Sequence, residues 1–162
     1  MKKNIFIVRH GHADFDADID FNRPLTTRGI QAVKQTTSFI AKQAKKQQLN
    51  PQICISSAAK RTQQTAEIIC QTLAIQTYES HKELYATNVS KWLEYINQQQ
   101  TSDIIIVGHN PTLSQMVNTF CGYNLHLKPA NCALIQLEIK PDGIVYPANL
   151  LALSTENTQI PI

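Results

Sequence analysis

Two short apolar runs, Ile5-Phe6-Ile7-Val8 and Ile104-Ile105-Ile106-Val107, constrain this chain more than any other feature. Each is rich in β-branched residues, too short for a core helix, and has no polar residue to supply a solvated face. Such runs suit strands covered on both sides, as in a parallel sheet. Both break off into similar residues, Arg9-His10-Gly11 after the first and Gly108-His109-Asn110-Pro111 after the second. Ligands of open α/β sheets collect beyond the carboxyl ends of the strands, so each run is expected to deliver a histidine to one shared rim. A guanidinium, two imidazoles and a permissive glycine placed there suit an anion such as phosphate.

The segments between and around these runs alternate between strand and helix character. Asp14, Asp16, Asp18 and Asp20 alternate with apolar residues and lead into Asn22-Arg23-Pro24. Aspartate is a poor strand former and Pro24 is near, so the stretch reads as a surface loop. Its Arg23 is placed to gate the site or to hold an acidic substrate. Thr26 or Thr27 caps a helix whose inward positions Ile30, Val33, Thr37, Ile40 and Ala44 continue until Asn50-Pro51. Gln52 to Ser56 reads as a second buried strand, and Ser57 as the cap of a helix from Ala58 to Leu73. Arg61 then falls in a first helical turn, where free N–H groups and the helix dipole favour an anion. A cation is unfavourable at that end of a dipole, so a bound anion would account for it.

Ile75 to Tyr78 is expected to be a short third strand. Ser90 opens a helix with Trp92, Leu93, Tyr95 and Ile96 inward, and Pro111 opens another that runs to Gly122. Cys132 to Ile139 alternates as a strand does. Pro141-Asp142-Gly143 is a turn, from which Ile144 to Tyr146 or Leu150 to Leu153 pairs back. The tail from Ser154 is expected to be loose. This order predicts an α/β three-layer sandwich: a mainly parallel central sheet with an antiparallel edge strand, and helices on both faces. With 162 residues, 43% of them hydrophobic, the chain from 1 to 162 is expected to form a single domain.

The net charge of +3 is mild, and no arginine stripe interleaved with aromatics is present, which argues against nucleic-acid binding. No segment approaches the length of a membrane span, and the apolar run after Met1-Lys2-Lys3 is too short for a signal peptide. The four cysteines, Cys54, Cys70, Cys121 and Cys132, lack CxxC and zinc-ligand spacing. They are expected to be free thiols in a reducing cytoplasm.

Three segments taken together carry a resemblance. Val8-Arg9-His10-Gly11 after a strand, Ser57 to Ala66 with Arg61 at a helix start, and Val107-Gly108-His109-Asn110-Pro111 after a later strand resemble the histidine phosphatase superfamily, of phosphoglycerate mutase-like fold. The short chain and the Arg23-Pro24-Leu25-Thr26-Thr27-Arg28-Gly29 segment are similar to the SixA-type phosphohistidine phosphatases. The resemblance implies that His10 is the nucleophile that becomes phosphorylated. It implies that Arg9 and Arg61 grip the phosphoryl oxygens and that His109 completes the pocket. Gly11 would turn the backbone and offer a carbonyl that fixes the His10 tautomer. Neighbouring arginines should keep His10 neutral. Glu83 lies near the place of the superfamily's general acid. The implied substrate is a phosphohistidine on a partner protein, such as a histidine-containing phosphotransfer domain, with no cofactor and no metal; small phosphomonoesters are the alternative.

Two readings of other classes compete. His10-Gly-His12-Ala-Asp14 has the HxHxD look of a metallohydrolase site, with His109 as a further ligand. Arg9 and Arg61 would then set fixed positive charge beside a divalent ion, and the segment from Ser57 to Ala66 would have no purpose. A phosphoprotein-binding module without turnover would gain nothing from an intact His10.

Overall fold

The computed structural model describes residues 1–155 and 158–161, and it sets the two apolar runs side by side in the middle of one sheet. In chain order the elements are β1 (Lys2–Arg9), α1 (Thr27–Gln47), β2 (Ile53–Ser57), α2 (Lys60–Leu73), β3 (Thr77–His81), α3 (Val89–Gln98), β4 (Asp103–Gly108), α4 (Thr112–Cys121), β5 (Cys132–Lys140), β6 (Gly143–Thr155) and β7 (Thr158–Pro161). The strands stand in the order β3-β2-β4-β1-β5-β6-β7. The first four are mutually parallel, and β5, β6 and β7 follow β1 with each strand antiparallel to the one before it in the sheet.

Alternation along β1 builds both interior layers at once. Ile5 and Ile7 face α3 and α4, packing with Trp92, Ile96, Leu113 and Phe120. Phe6 and Val8 face α1 and α2, packing with Val33, Phe39, Ile40 and Ile69. All four β1 residues are fully buried, as a strand between two helical layers must be. The three-layer α/β architecture expected from the sequence is therefore present, and its antiparallel part extends to three strands among the described residues.

Several boundaries differ from expectation. The return strand is continuous through Pro147, and register shifts in its pairing with β5 accommodate it. The third strand starts two residues later, at Thr77. α2 begins at Lys60 with no side-chain cap, because its cap position is Ala59, whose methyl group cannot accept a hydrogen bond. α3 starts at Val89, capped by the Asn88 side chain, which accepts from Lys91 N. Ser154 and Thr155 finish β6, and Thr158–Pro161 forms β7. The rest of the expectation of a loose tail falls on residues 156, 157 and 162, outside the described residues. Among the described residues no helix is long and apolar enough to cross a membrane. The four cysteines are free thiols, three of them buried.

α1 is docked tightly under the segment that follows β1. Thr26 caps it by accepting from Gly29 N at 3.0 Å, while Thr26 N donates to the His12 carbonyl at 3.0 Å. A Cβ on Gly29 would stand 2.2 Å from that same carbonyl oxygen, so only glycine permits the approach. Gly29→Ala should thus lower stability by about 1–3 kcal/mol, the usual range for overpacking. Chemical denaturation checks this, and a variant as stable as wild type would show that the helix can move away freely.

Candidate active site

The sheet register fixes the two histidines. Val8 pairs with Val107 and Arg9 with Gly108, so His10 and His109 follow at the carboxyl ends of adjacent strands. Their rings stand 5.3 Å apart between centroids, tilted by 57°. His10 N extends the ladder by donating to the Gly108 carbonyl at 3.1 Å. Gly11 then turns under α1, where a Cβ would meet Val33 Cγ2 at 2.8 Å.

Hydrogen bonds fix the His10 tautomer. Its Nδ1 lies 2.7 Å from the Gly11 carbonyl, which can only accept, so the proton is on Nδ1. Nε2 accordingly keeps its lone pair and accepts from Arg61 Nε at 3.4 Å. Around it, Arg9 donates through Nη1 to the Leu127 carbonyl at 2.9 Å. The Arg9 Nε is buried without a hydrogen-bond partner, an orphan donor of the kind that needs an acceptor.

A second chain of bonds orients His109. Its Nε2 lies 2.6 Å from Ser57 Oγ, which is 2.7 Å from Thr62 Oγ1. The single Thr62 hydroxyl proton goes to the carbonyls of Ser57 and Ala59, at 2.9 and 2.8 Å. Ser57 must therefore donate to Thr62 and accept from His109, which places the neutral ring's proton on Nε2.

Both imidazoles are driven towards neutrality, His10 to a pKa of about 4 and His109 to about 3. Burial is the largest cause for each. For His10 the Arg61, Arg9 and Arg23 charges add to it and the Gly11 carbonyl opposes it; the arginines named from the sequence are secondary. The unfolded imidazoles titrate near pH 6.5. Between that value and about 4 the folded chain binds fewer protons than the unfolded one. Stability from these groups is complete above pH 6.5 and is lost as pH falls. The acid limb of kcat/KM should accordingly lie near pH 4 to 5. A limb at pH 6 to 7 in initial-rate measurements would show that the essential imidazole is not shielded in this way.

Comparison with known proteins agrees with this geometry. The sequence pattern of the histidine phosphatase superfamily (branch 1) matches residues 5–92, more than half of the chain. The chain belongs to the histidine phosphatase superfamily. Within it the chain is a phosphatase similar to the SixA type. The Escherichia coli (strain K12) protein phosphohistidine phosphatase SixA is 28% identical over 122 residues, which cover 72% of this chain and 73% of that one. Among solved structures, one assigned as SixA from Agrobacterium tumefaciens superposes with a TM-score of 0.77 at 19% identity, covering 94% of this chain and 97% of its own. A protein histidine phosphatase SixA complexed with tungstate gives 0.73 at 22%, covering 98% and 96%. These structural likenesses bear on the fold.

Within this histidine phosphatase, the residues expected at the site are not all gathered there. Arg9, His10, Arg23, Arg61 and His109 line one open cleft of about 460 Å³. Glu83, expected as the acid, lies outside it; its carboxylate accepts from Tyr95 OH at 2.9 Å and faces Lys91 at 3.6 Å on the surface. The carboxylate that does line the cleft is Asp20. It pairs with Arg61 and Arg23, each at 3.0 Å, and accepts from the Tyr85 hydroxyl. Those partners, Tyr85 first, hold it well below the usual carboxylate range. Arg23 is itself tied down, donating through Nε to the Asp14 carbonyl at 2.7 Å and lying over the Phe15 ring at 4.5 Å. His12 Nδ1 shares a hydrogen bond with Thr26 Oγ1 at 2.9 Å, so the HxHxD reading finds one of its ligands turned to the α1 cap. Among the described residues no group of three or more His, Cys, Asp or Glu side chains is arranged to hold a metal ion.

Proposed function

We propose that this phosphatase, one domain acting in the cytoplasm, removes the phosphoryl group from a phosphohistidine on a partner protein, through a phosphorylated His10 and without a metal. The observation that carries the reading is the lone pair of His10 Nε2, held in the cleft against Arg61 by the Nδ1 bond to Gly11. That lone pair attacks phosphorus as the P–N bond to the substrate imidazole breaks. The leaving nitrogen takes a proton from solvent. Water then attacks the phosphorylated His10, releasing phosphate and restoring Nε2. Arg9 and Arg61 neutralise the equatorial oxygens during both transfers, which is most of what such reactions ask of a protein, while the neutral His109, tied to Ser57, completes the pocket wall.

The site's proton inventory favours phosphohistidine over alkyl phosphates. An alkoxide leaving group needs an acid, whereas Glu83 lies outside the cleft and Asp20 is held ionised. An imidazole leaves readily without one. The name of the Escherichia coli relative, a phosphohistidine phosphatase, and the open cleft both support a protein-borne group, with a histidine-containing phosphotransfer domain as the partner class. The test is phosphate release from a phosphohistidine protein and from an alkyl phosphate, both with EDTA present. The expected result is release from the former alone, unchanged in Glu83→Gln. Equal kcat/KM on both substrates, or loss with EDTA, would overturn the reading.

A further inference from the structure

Asp20 is the feature of the cleft that the proposed chemistry does not use. Its backbone carbonyl accepts from Arg61 Nη1 at 2.7 Å and its carboxylate from Nη2 at 3.0 Å. Arg61 Nε meanwhile meets His10 Nε2 at 3.4 Å. Each of the three nitrogens of this buried guanidinium thus makes one hydrogen bond, and the outer pair of nitrogens, its fork, is bound by the carbonyl and the carboxylate of Asp20. A phosphoryl group seated on His10 Nε2 requires that fork. We propose that Asp20 competes with the phosphoryl group for Arg61 and thereby sets how tightly the pocket holds free phosphate.

The local structure suits a displaceable competitor. Asp20 opens a single 3-10 turn, Asp20–Asn22, which contributes no buried residue. Its side chain is about half exposed, at 52%, so its ion pairs are individually weak. Arg23 stays anchored to the carbonyls of Asp14 and Ala13 when the carboxylate swings out. In the same loop Phe15, which lines the cleft, is 75% exposed, and Ile19, next to Asp20 in the chain, is 59% exposed. On the reading of a protein substrate, contacts of that protein with the two side chains offset the loss of the Asp20 pairs. Orthophosphate has no such contacts. Asp20 therefore discriminates against free phosphate and returns to Arg61 as the product departs.

Calorimetric binding of tungstate and of inorganic phosphate to wild type, Asp20→Ala and Asp20→Asn tests this. Thermal unfolding confirms that each variant is folded. Removal of a competing carboxylate with charge-assisted bonds should tighten oxyanion binding in Asp20→Ala by roughly tenfold, and less in Asp20→Asn, whose amide oxygen still accepts. KM for a phosphohistidine protein should change less than the phosphate affinity does. Unchanged or weaker oxyanion binding in both variants would overturn the proposal, since Asp20 would then be supporting Arg61 rather than competing for it. These affinities are read without turnover, so failure of the phosphohistidine reading would leave them standing, and the reverse.

Discussion

His10→Ala is expected to abolish phosphate release, with kcat down by at least about a thousandfold, because the proposed two-step reaction would lose the atom that accepts the phosphoryl group. The fold should survive. The backbone bonds at this position, His10 N to the Gly108 carbonyl and Ala130 N to the His10 carbonyl, do not involve the ring. What the variant loses is the Nδ1 bond to Gly11 and the packing of a buried imidazole. Rapid quenching at alkaline pH, where phosphohistidine persists, should trap label on the wild type and none on the variant. Activity above a few per cent of wild type would mean that water attacks the substrate directly.

The second large effect is expected at Arg61, where lysine should serve little better than alanine. Both are expected to lower kcat/KM by about 10²–10³-fold, because a planar fork spans two oxygens and an ammonium does not. Arg61 is buried at the start of α2 with its Nε 3.4 Å from His10 Nε2, so on the proposed mechanism a shorter-reaching point charge would also sit farther from a phosphoryl group received by His10. Since burial, more than charge, keeps His10 neutral, the acid limb of the pH profile should shift only slightly in either variant. Retention of more than a tenth of the wild-type kcat/KM by Arg61→Lys would show that charge alone suffices there.

Much of this site was legible because the strands that carry it are. Ile5 to Val8 and Ile104 to Val107 can hardly be anything but buried strands, and whatever follows such strands lands on the rim. His10, His109 and Arg9 were placed that way, and Arg61 by its helix start. Glu83 was misplaced because spacing along the chain fixes its distance from β3 but not the direction of its side chain, which turns to Tyr95. Asp20 was missed for a related reason. A loop's path across a cleft is set by distant partners, here Arg61 and Tyr85, that are 41 and 65 residues away. The one local sign was Asp20 standing three residues before Arg23, with which it pairs. Ser57 was assigned to a cap by its residue type, whereas its hydroxyl is committed to His109.

The central place of β1 also has a consequence for biosynthesis. β1 is the first strand to be made, yet both its neighbours come much later: Asn4 bonds Asp103 across 99 residues and Gln136 across 132. At translation rates of about 5–20 residues per second, this apolar strand waits roughly five seconds or more for its first partner. Until β4 and β5 are made, both of its edges are open to pairing with other chains. A chain interrupted before Cys132 would therefore be inactive and prone to aggregate, because the strand that leads into His10 would still lack one of its two neighbours.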